Sequence, residues 1–277
     1  MEVQQIKNSI TSCIEKYYSD KNVMFHKWDE SDFHLFLIDY FEVLRKGIVP
    51  RKRCVHISRE LKSKIKSSQF KLWRNRFDEI KSMFENGDDL NSFLSKKAKV
   101  SGFKDRLLTC WDMHHLHFYP EKKKGDMLLF VIVKDDAVYM VDVIPHSKRF
   151  VFSTFELINI VFRNWEFLLA PYRCKGVIDL SHVIKTDEEV NQFRGNGICT
   201  SIKIQNNIYH LDMMSSDGHN ALDVMYANNI LNNLRICERN GTFDRMEFID
   251  LVSTEKMRPS FVLTYRDINN VRNVWCI

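Results

Sequence analysis

Three histidines lie within four positions of the chain, in the segment 111–120 (WDMHHLHFYP). They are His114, His115 and His117. Side chains of an extended strand alternate between its two faces, so His115 and His117 would share one face and His114 would lie on the other. Histidine exchanges protons near neutral pH, because its unperturbed pKa is about 6.5. The segment therefore carries two proton-exchanging groups on one face.

A further histidine, His146, is predicted to return to the same place. Two apolar strands are expected over 127–145, because MLLFVIV and AVYMVDVI flank the polar residues 134–136, which is a hairpin signature. In a meander of three neighbouring strands, His146 would come back beside His115 and His117. The residues around it in the sequence include Asp142, Lys148 and Arg149.

A divalent metal site is the first chemistry that this cluster could support. Imidazoles at i and i+2 of a strand can bind one ion such as zinc, with His146 or Asp142 as a third ligand. The chain has no HExxH motif or similar second ligand motif. The metal interpretation therefore depends on His115, His117, Asp142 and His146 alone.

A metal-free RNA-cleaving site is the second chemistry. Transesterification needs a base for the ribose 2′-hydroxyl, an acid for the leaving oxygen and cations for the charge on the phosphorane. His115 and His117 would act as base and acid. The cations would come from Lys122, Lys148 and Arg149, together with Lys123 and Lys124.

A purely structural role is the third interpretation. Beside Trp111, Phe118 and Tyr119, the histidines can equally be hydrogen-bonded core or interface residues that fix the pairing of strands. The residues alone leave all three interpretations open.

The elements around the cluster predict an α+β fold. Apolar residues at helical spacing indicate helices over 4–18, 31–45, 59–85 and 153–169, with a short strand at 53–58. Thr186 and Glu189 have the spacing of a capping box, which predicts a helix over 186–197. A hairpin about Asn206 and Asn207, a helix over 218–240 and a closing hairpin over 260–277 complete the chain.

Three consecutive regions are expected from this order of elements. The first is a basic, helical N-terminal region at 1–90. The second, at 91–174, is an α+β core with a central antiparallel sheet, flanking helices and the histidine cluster. The third, at 175–277, is a C-terminal lobe of hairpin, helix and hairpin.

Positive charge is concentrated in residues 45–76, where Glu60 is the one acidic residue. The net charge of +5 permits a nucleic-acid partner only where such charges cluster. Arg51 and Arg53 are candidate substrate ligands in this run, although a solvated helix face would have the same composition.

The seven cysteines form no CxxC pair, which indicates reduced, mostly buried thiols. The first residues do not have the pattern of a signal peptide. No apolar run approaches the ~20 residues of a membrane span. We therefore expect a cytoplasmic protein with no membrane partner.

The stretch 94–150 resembles the core of the RelE/ParE-like toxin superfamily. The pattern is a short helix, a strand, a charged turn, two apolar strands with an acidic hairpin tip, and a basic or histidine-bearing end. LHFYPEKKKGDMLLFVIVKDDAVYMVDVIPHSKRF supplies these parts in order, and the match covers roughly a fifth of the chain. Members of that family are usually much shorter, so the flanking regions are not explained by it.

The resemblance implies a ribonuclease that needs no cofactor. Many members cleave messenger RNA on the ribosome, whereas others bind gyrase and cleave nothing. It implies His115, His117, Lys148 and Arg149 as site residues, with His146 as proton donor or acceptor. The expected partners are RNA or the ribosome and a protein inhibitor.

We therefore expect a metal-independent RNA endonuclease of toxin or phage-defence type. Two alternatives are a non-catalytic module that binds nucleic acid or protein, and a metal-dependent hydrolase that uses the histidine cluster.

Overall fold

The computed structural model describes residues 3–25, 30–119, 127–177, 179–240, 246–253, 259–266 and 272–276, with side chains described at 3–25, 31–119, 127–177 and 179–236. The chain forms two compact units, each built from separated stretches. The first unit comprises Met1–Arg45, Lys99–Phe103 and Ala221–Ile277. The second comprises Lys46–Ala98 and Lys104–Asn220. This division differs from the three consecutive regions expected from the sequence.

The first unit contains three long helices and a small antiparallel sheet. The helices are α1 (Val3–Asp20), α2 (Phe33–Lys46) and α8 (Ala221–Asn240). The sheet has the order β7 (Met246–Ser253), β8 (Pro259–Arg266) and β9 (Arg272–Cys276). Ile6, Ile10 and Ile14 recur every fourth residue of α1 and are buried in one core with Ile230 and Leu234 of α8. Residues from both ends of the chain therefore share this core.

The second unit is organised around a four-stranded sheet. Its strands are β1 (Cys54–Ile57), β2 (His114–His117), β3 (Met127–Val133) and β4 (Ala137–Pro145), in the order β1-β4-β3-β2. The β2-β3 and β3-β4 pairs are antiparallel, whereas β1 runs parallel to β4. The predicted α+β class and the three-strand meander are confirmed, but the parallel β1 makes the sheet mixed.

Helices cover both faces of this sheet. The helices that contribute to the core on one face are α3 (Arg59–Lys66) and α4 (Arg74–Asn86). The opposite face packs on α5 (Arg106–Trp111), α6 (Glu156–Trp165), α7 (Asp187–Gly195) and the hairpin of β5 (Ser201–Ile204) and β6 (Asn207–His210). Phe130 of β3 is buried in the core on the side of α5, α6 and α7, whereas Val131 is buried in the core on the side of α3 and α4. Because both faces of β3 are buried, its sequence is a continuous apolar run.

The long helix predicted over 59–85 is wrong as a single element. The chain leaves the helical conformation at Ser67, whose ψ is 152°, and Ser67 Oγ donates a hydrogen bond to the Lys64 carbonyl at 2.7 Å. A 3-10 turn at Ser68–Phe70 then separates α3 from α4. A serine that bonds to the preceding turn competes with the helical hydrogen bonds, and apolar periodicity does not reveal that competition.

None of the helices in the described part of the chain combines the length and the apolar character that crossing a membrane requires.

Candidate functional site

The strand β2 is directed into the sheet by Asp112. This residue ends α5 in the left-handed conformation, with φ 52°, and its N–H donates to the Leu108 carbonyl at 3.0 Å. The Asp112 carboxylate accepts a 2.6 Å bond from Lys134 at the tip of the β3–β4 hairpin. A short polar residue tolerates this backbone better than most. The turn places the histidine segment alongside β3 as its edge strand.

The structure brings the three predicted imidazoles together. His115 pairs with Phe130 and His117 with Leu128, on the same side of the sheet. The ring centroids of His115 and His117 are 5.8 Å apart. His146 follows the end of β4, and its ring lies 5.6 Å from that of His117. The residues therefore form one cluster from two ends of the meander.

Phe152 completes the cluster, and the sequence did not single it out. Its ring centroid lies 4.8 Å from that of His115 and 6.0 Å from that of His146. The side chain remains 37% exposed. Phe152 is one of twenty phenylalanines in an ordinary apolar pattern, so no local signal distinguishes it.

The three histidines differ in their environment. His115 and His117 are buried, whereas His146 is exposed at the rim. Burial lowers the pKa of His115 to about 4; the Asp105 carboxylate opposes this shift, and His117 and His146 add to it. His115 Nδ1 is buried and has no hydrogen-bond partner among the described residues. His115 is therefore uncharged at neutral pH, with one unused ring nitrogen.

The predicted cations Lys148 and Arg149 are both bound to α7. Lys148 Nζ lies 3.1 Å from the Asp187 carboxylate and donates to Thr154 Oγ1 at 3.0 Å. Arg149, which is far more exposed, lies 3.1 Å from the Glu188 carboxylate. Lys148 and Arg149 therefore lie close to His146 in the sequence, but each forms an ion pair with a carboxylate of α7.

The other predicted cations are not brought to the cluster. Arg53 is buried and donates to the carbonyl oxygens of Lys134, Val49 and Arg51, so its guanidinium supports the backbone and does not face a substrate. Arg51 lies 3.7 Å from Asp135. Both arginines sit at the β3–β4 hairpin tip, whereas His146 follows the other end of β4. Lys122, Lys123 and Lys124 lie outside the described residues.

Asp142, the fourth residue of the metal alternative, is held by a lysine. Its two carboxylate oxygens lie 2.7 and 2.6 Å from Lys64 Nζ. Burial raises the pKa of Asp142, and Lys64 opposes that shift. Across the described residues, no three ligand atoms from His115, His117, Asp142 and His146 lie within 4.8 Å of one another. The geometry therefore adds no support for a shared ion, and the zinc alternative stays a prediction.

Comparisons with known proteins find no family model, no curated protein and no solved structure that matches this chain. Within 94–150, the described elements include α5, β2, β3 and β4 in this order, and the charged turn of the RelE/ParE-like pattern lies outside the described residues. Membership of that family stays a prediction.

Proposed function

We propose that this chain is a metal-independent endoribonuclease that uses His115, His117 and His146 for proton transfer. The observation that carries the proposal is the convergence of three imidazoles, of which His115 and His117 are buried and His146 is exposed, with the partly exposed ring of Phe152. Two histidines at one site can serve as base and acid in one reaction.

We assign His115 the role of general base, because it is uncharged at neutral pH; its pKa of about 4 makes it a weak base. It would accept the proton of a ribose 2′-hydroxyl as the 2′-oxygen attacks the adjacent phosphorus. The bond from phosphorus to the 5′-oxygen breaks, and His146 at the rim would give that oxygen a proton. The ring of His117 lies 5.8 Å from that of His115 and 5.6 Å from that of His146, so His117 would replace either residue in its proton transfer. The products are a 2′,3′-cyclic phosphate and a 5′-hydroxyl.

The charge that builds on the phosphorane needs nearby cations. Arg149 and Lys148 follow His146 directly in the chain, and the more exposed guanidinium of Arg149 can exchange its carboxylate for a phosphate. The resemblance to the RelE/ParE-like superfamily supports a toxin or phage-defence role, with RNA or the ribosome and a protein inhibitor as partners. We propose that the enzyme acts in the cytoplasm, because the cysteines form no CxxC pair and the first residues lack the pattern of a signal peptide.

Cleavage of a labelled RNA in the presence of EDTA tests this proposal. We expect wild type to cut RNA and to leave DNA of the same sequence intact, since DNA lacks the 2′-hydroxyl. The double variant His115→Gln/His117→Gln should lose about 100-fold or more of the rate. The matched control is His56→Gln, an exposed histidine on β1 whose ring stacks on Tyr139. Equal rates for the double variant and the control would remove the assignment.

A non-catalytic binding module is the second candidate, and the surface of the basic run favours it. Lys62, Lys66 and Lys71 are exposed, and Leu72 beside them is also exposed. Such a surface would bind nucleic acid with a strong dependence on salt and no turnover. A metal-dependent hydrolase, in contrast, would lose its activity in EDTA and regain it with added zinc.

A further inference from the structure

Phe152 presents an unusual combination of exposure and position. Its ring is partly open to solvent, and it contacts both the buried His115 and the exposed His146. The planes of the rings meet at 52° and 82°, so neither imidazole is stacked face to face on the phenyl ring. A planar apolar surface thus remains beside the proton-transfer groups.

The backbone that carries Phe152 is fixed by one face of α7. Arg194 Nη1 donates to the Phe152 carbonyl at 3.0 Å. One to two turns earlier, Asn191 lies 3.5 Å from Ser153 Oγ, and Asp187 accepts from the Phe155 N–H at 2.8 Å. The spacing of these three α7 residues places them on the same side of the helix. The segment around Phe152 is therefore held at three points.

Arg194 is itself held firmly. It is 3% exposed, and its guanidinium lies 3.8 Å from the centre of the Trp111 ring. Trp111 ends α5, and α5 leads into the strand that carries His115 and His117. Arg194 thus connects the Phe152 segment to the element that positions the histidines. A ring presented by so constrained a backbone loses little entropy when a ligand stacks on it.

We infer that Phe152 forms a subsite for an unpaired nucleobase, and that this subsite restricts the substrate to single-stranded RNA. The inference rests on the proposed ribonuclease function. Every nucleobase has an apolar face that stacks on aromatic rings, and a base within a duplex has its faces covered by its neighbours. A base on Phe152 would place its own ribose and phosphate beside His115, His146 and the cations Lys148 and Arg149.

Binding of an RNA that cannot be cleaved tests the subsite separately from catalysis. The probe is a single-stranded oligonucleotide with 2′-O-methyl riboses and one 2-aminopurine base, whose fluorescence is quenched when it stacks. We expect wild type to bind it, to quench it, and to bind the matching duplex at least tenfold more weakly. Phe152→Leu, which keeps an apolar side chain in place, should bind the single strand about tenfold more weakly and quench less. Phe152→Trp should restore both signals.

The matched control is Phe167→Ala, which removes another exposed aromatic ring of the same unit, 61% exposed in the 3-10 turn after α6. It should bind as wild type does. Wild type that binds duplex and single strand equally, or binds neither, would overturn the inference. Equal binding of the single strand by Phe152→Leu and Phe167→Ala would also overturn the inference. If RNA cleavage depends on the histidines while Phe152→Leu binds normally, the subsite fails and the enzyme stands. If quenching depends on Phe152 and no RNA is cut, the enzyme fails and the subsite stands.

Discussion

The imidazole rings of His117 and His146 lie 5.6 Å apart, although His117 belongs to β2 and His146 follows β4. The register of the sheet explains this proximity. His117 pairs with Leu128, and Leu128 pairs with Ile144, two residues before His146. The register of β3 and β4 also shifts at Phe130 and Val131. The cluster is therefore a product of strand pairing and would be lost if either pair slipped by one residue.

Acid should destabilise the protein through His115. Its pKa is about 4 when folded, against the ordinary value of 6.5, so the unfolded chain takes up the proton first. The contribution of His115 is fully present above about pH 6.5 and is lost as the pH falls towards 4, and it amounts to about 3 kcal/mol. Urea unfolding at pH 7, 5.5 and 4 measures it. In His115→Gln the loss of stability over this range should be smaller by that amount; the same pH dependence in both proteins would show that His115 is not buried as described.

The turn at Asp112 should tolerate glycine better than alanine. Asp112 has φ 52° and joins α5 to the histidine strand. Both substitutions remove the ion pair with Lys134, which is half-exposed and worth little. They differ in the strain of a Cβ in the left-handed region, so Asp112→Ala should be about 1 kcal/mol less stable than Asp112→Gly. Chemical denaturation compares them directly, and a more stable Asp112→Ala would contradict this backbone geometry.

Gly87 should be far less replaceable than Gly176. Both have positive φ, of 86° and 79°. A Cβ on Gly87 would lie 2.7 Å from the Lys52 nitrogen and 2.9 Å from the Arg51 carbonyl carbon, whereas one on Gly176 meets nothing within 4 Å.

Gly176→Ala therefore costs about 1 kcal/mol of strain alone, while Gly87→Ala adds a backbone clash and costs about 3 kcal/mol. Thermal unfolding of the two variants separates the effects. Equal losses would mean that residues 51 and 52 do not approach α4 as closely as described.

The Lys64–Asp142 pair should contribute to stability, because the lysine neutralises a buried carboxylate. Lys64→Met leaves Asp142 without its cation and should cost about 2 kcal/mol, less than for a fully buried pair because Lys64 is 47% exposed. Lys62→Met, on the same helix and exposed, is the control and should cost almost nothing. The double variant Lys64→Met/Asp142→Asn should recover part of the loss. Equal stability of Lys62→Met and Lys64→Met would contradict the pairing.

Local signals in the sequence located most of the elements. The capping box predicted at Thr186 and Glu189 is present with both of its hydrogen bonds, and α7 begins there. The apolar run at 127–133 and the polar tip after it form β3 and the predicted hairpin. The hairpin expected about Asn206 and Asn207 turns one residue earlier, at Gln205 and Asn206, with φ 55° at Gln205. Such signals depend only on residues that are close together in the sequence, so the sequence alone reveals them.

Long-range partners could not be predicted from the sequence. The charge of Arg53 suggested a substrate ligand, but its buried guanidinium donates to the carbonyl oxygens of the distant Lys134 and the nearby Val49. Lys148 and Arg149 were expected beside His146, but their carboxylate partners on α7 were not. Phe152 is recognisable only through its contacts with the histidines. Each of these relationships depends on how separate elements pack, which periodicity and composition do not encode.

The proposed histidine chemistry is tested most directly by the single-turnover rate of cleavage of a single-stranded RNA in EDTA, measured for wild type and for the triple variant His115→Gln/His117→Gln/His146→Gln. We expect wild-type products with 2′,3′-cyclic phosphate ends and a rate at least about 100-fold lower for the triple variant, with its fold intact. A folded triple variant that cuts the RNA as fast as wild type, or a wild type that cuts none, would contradict it.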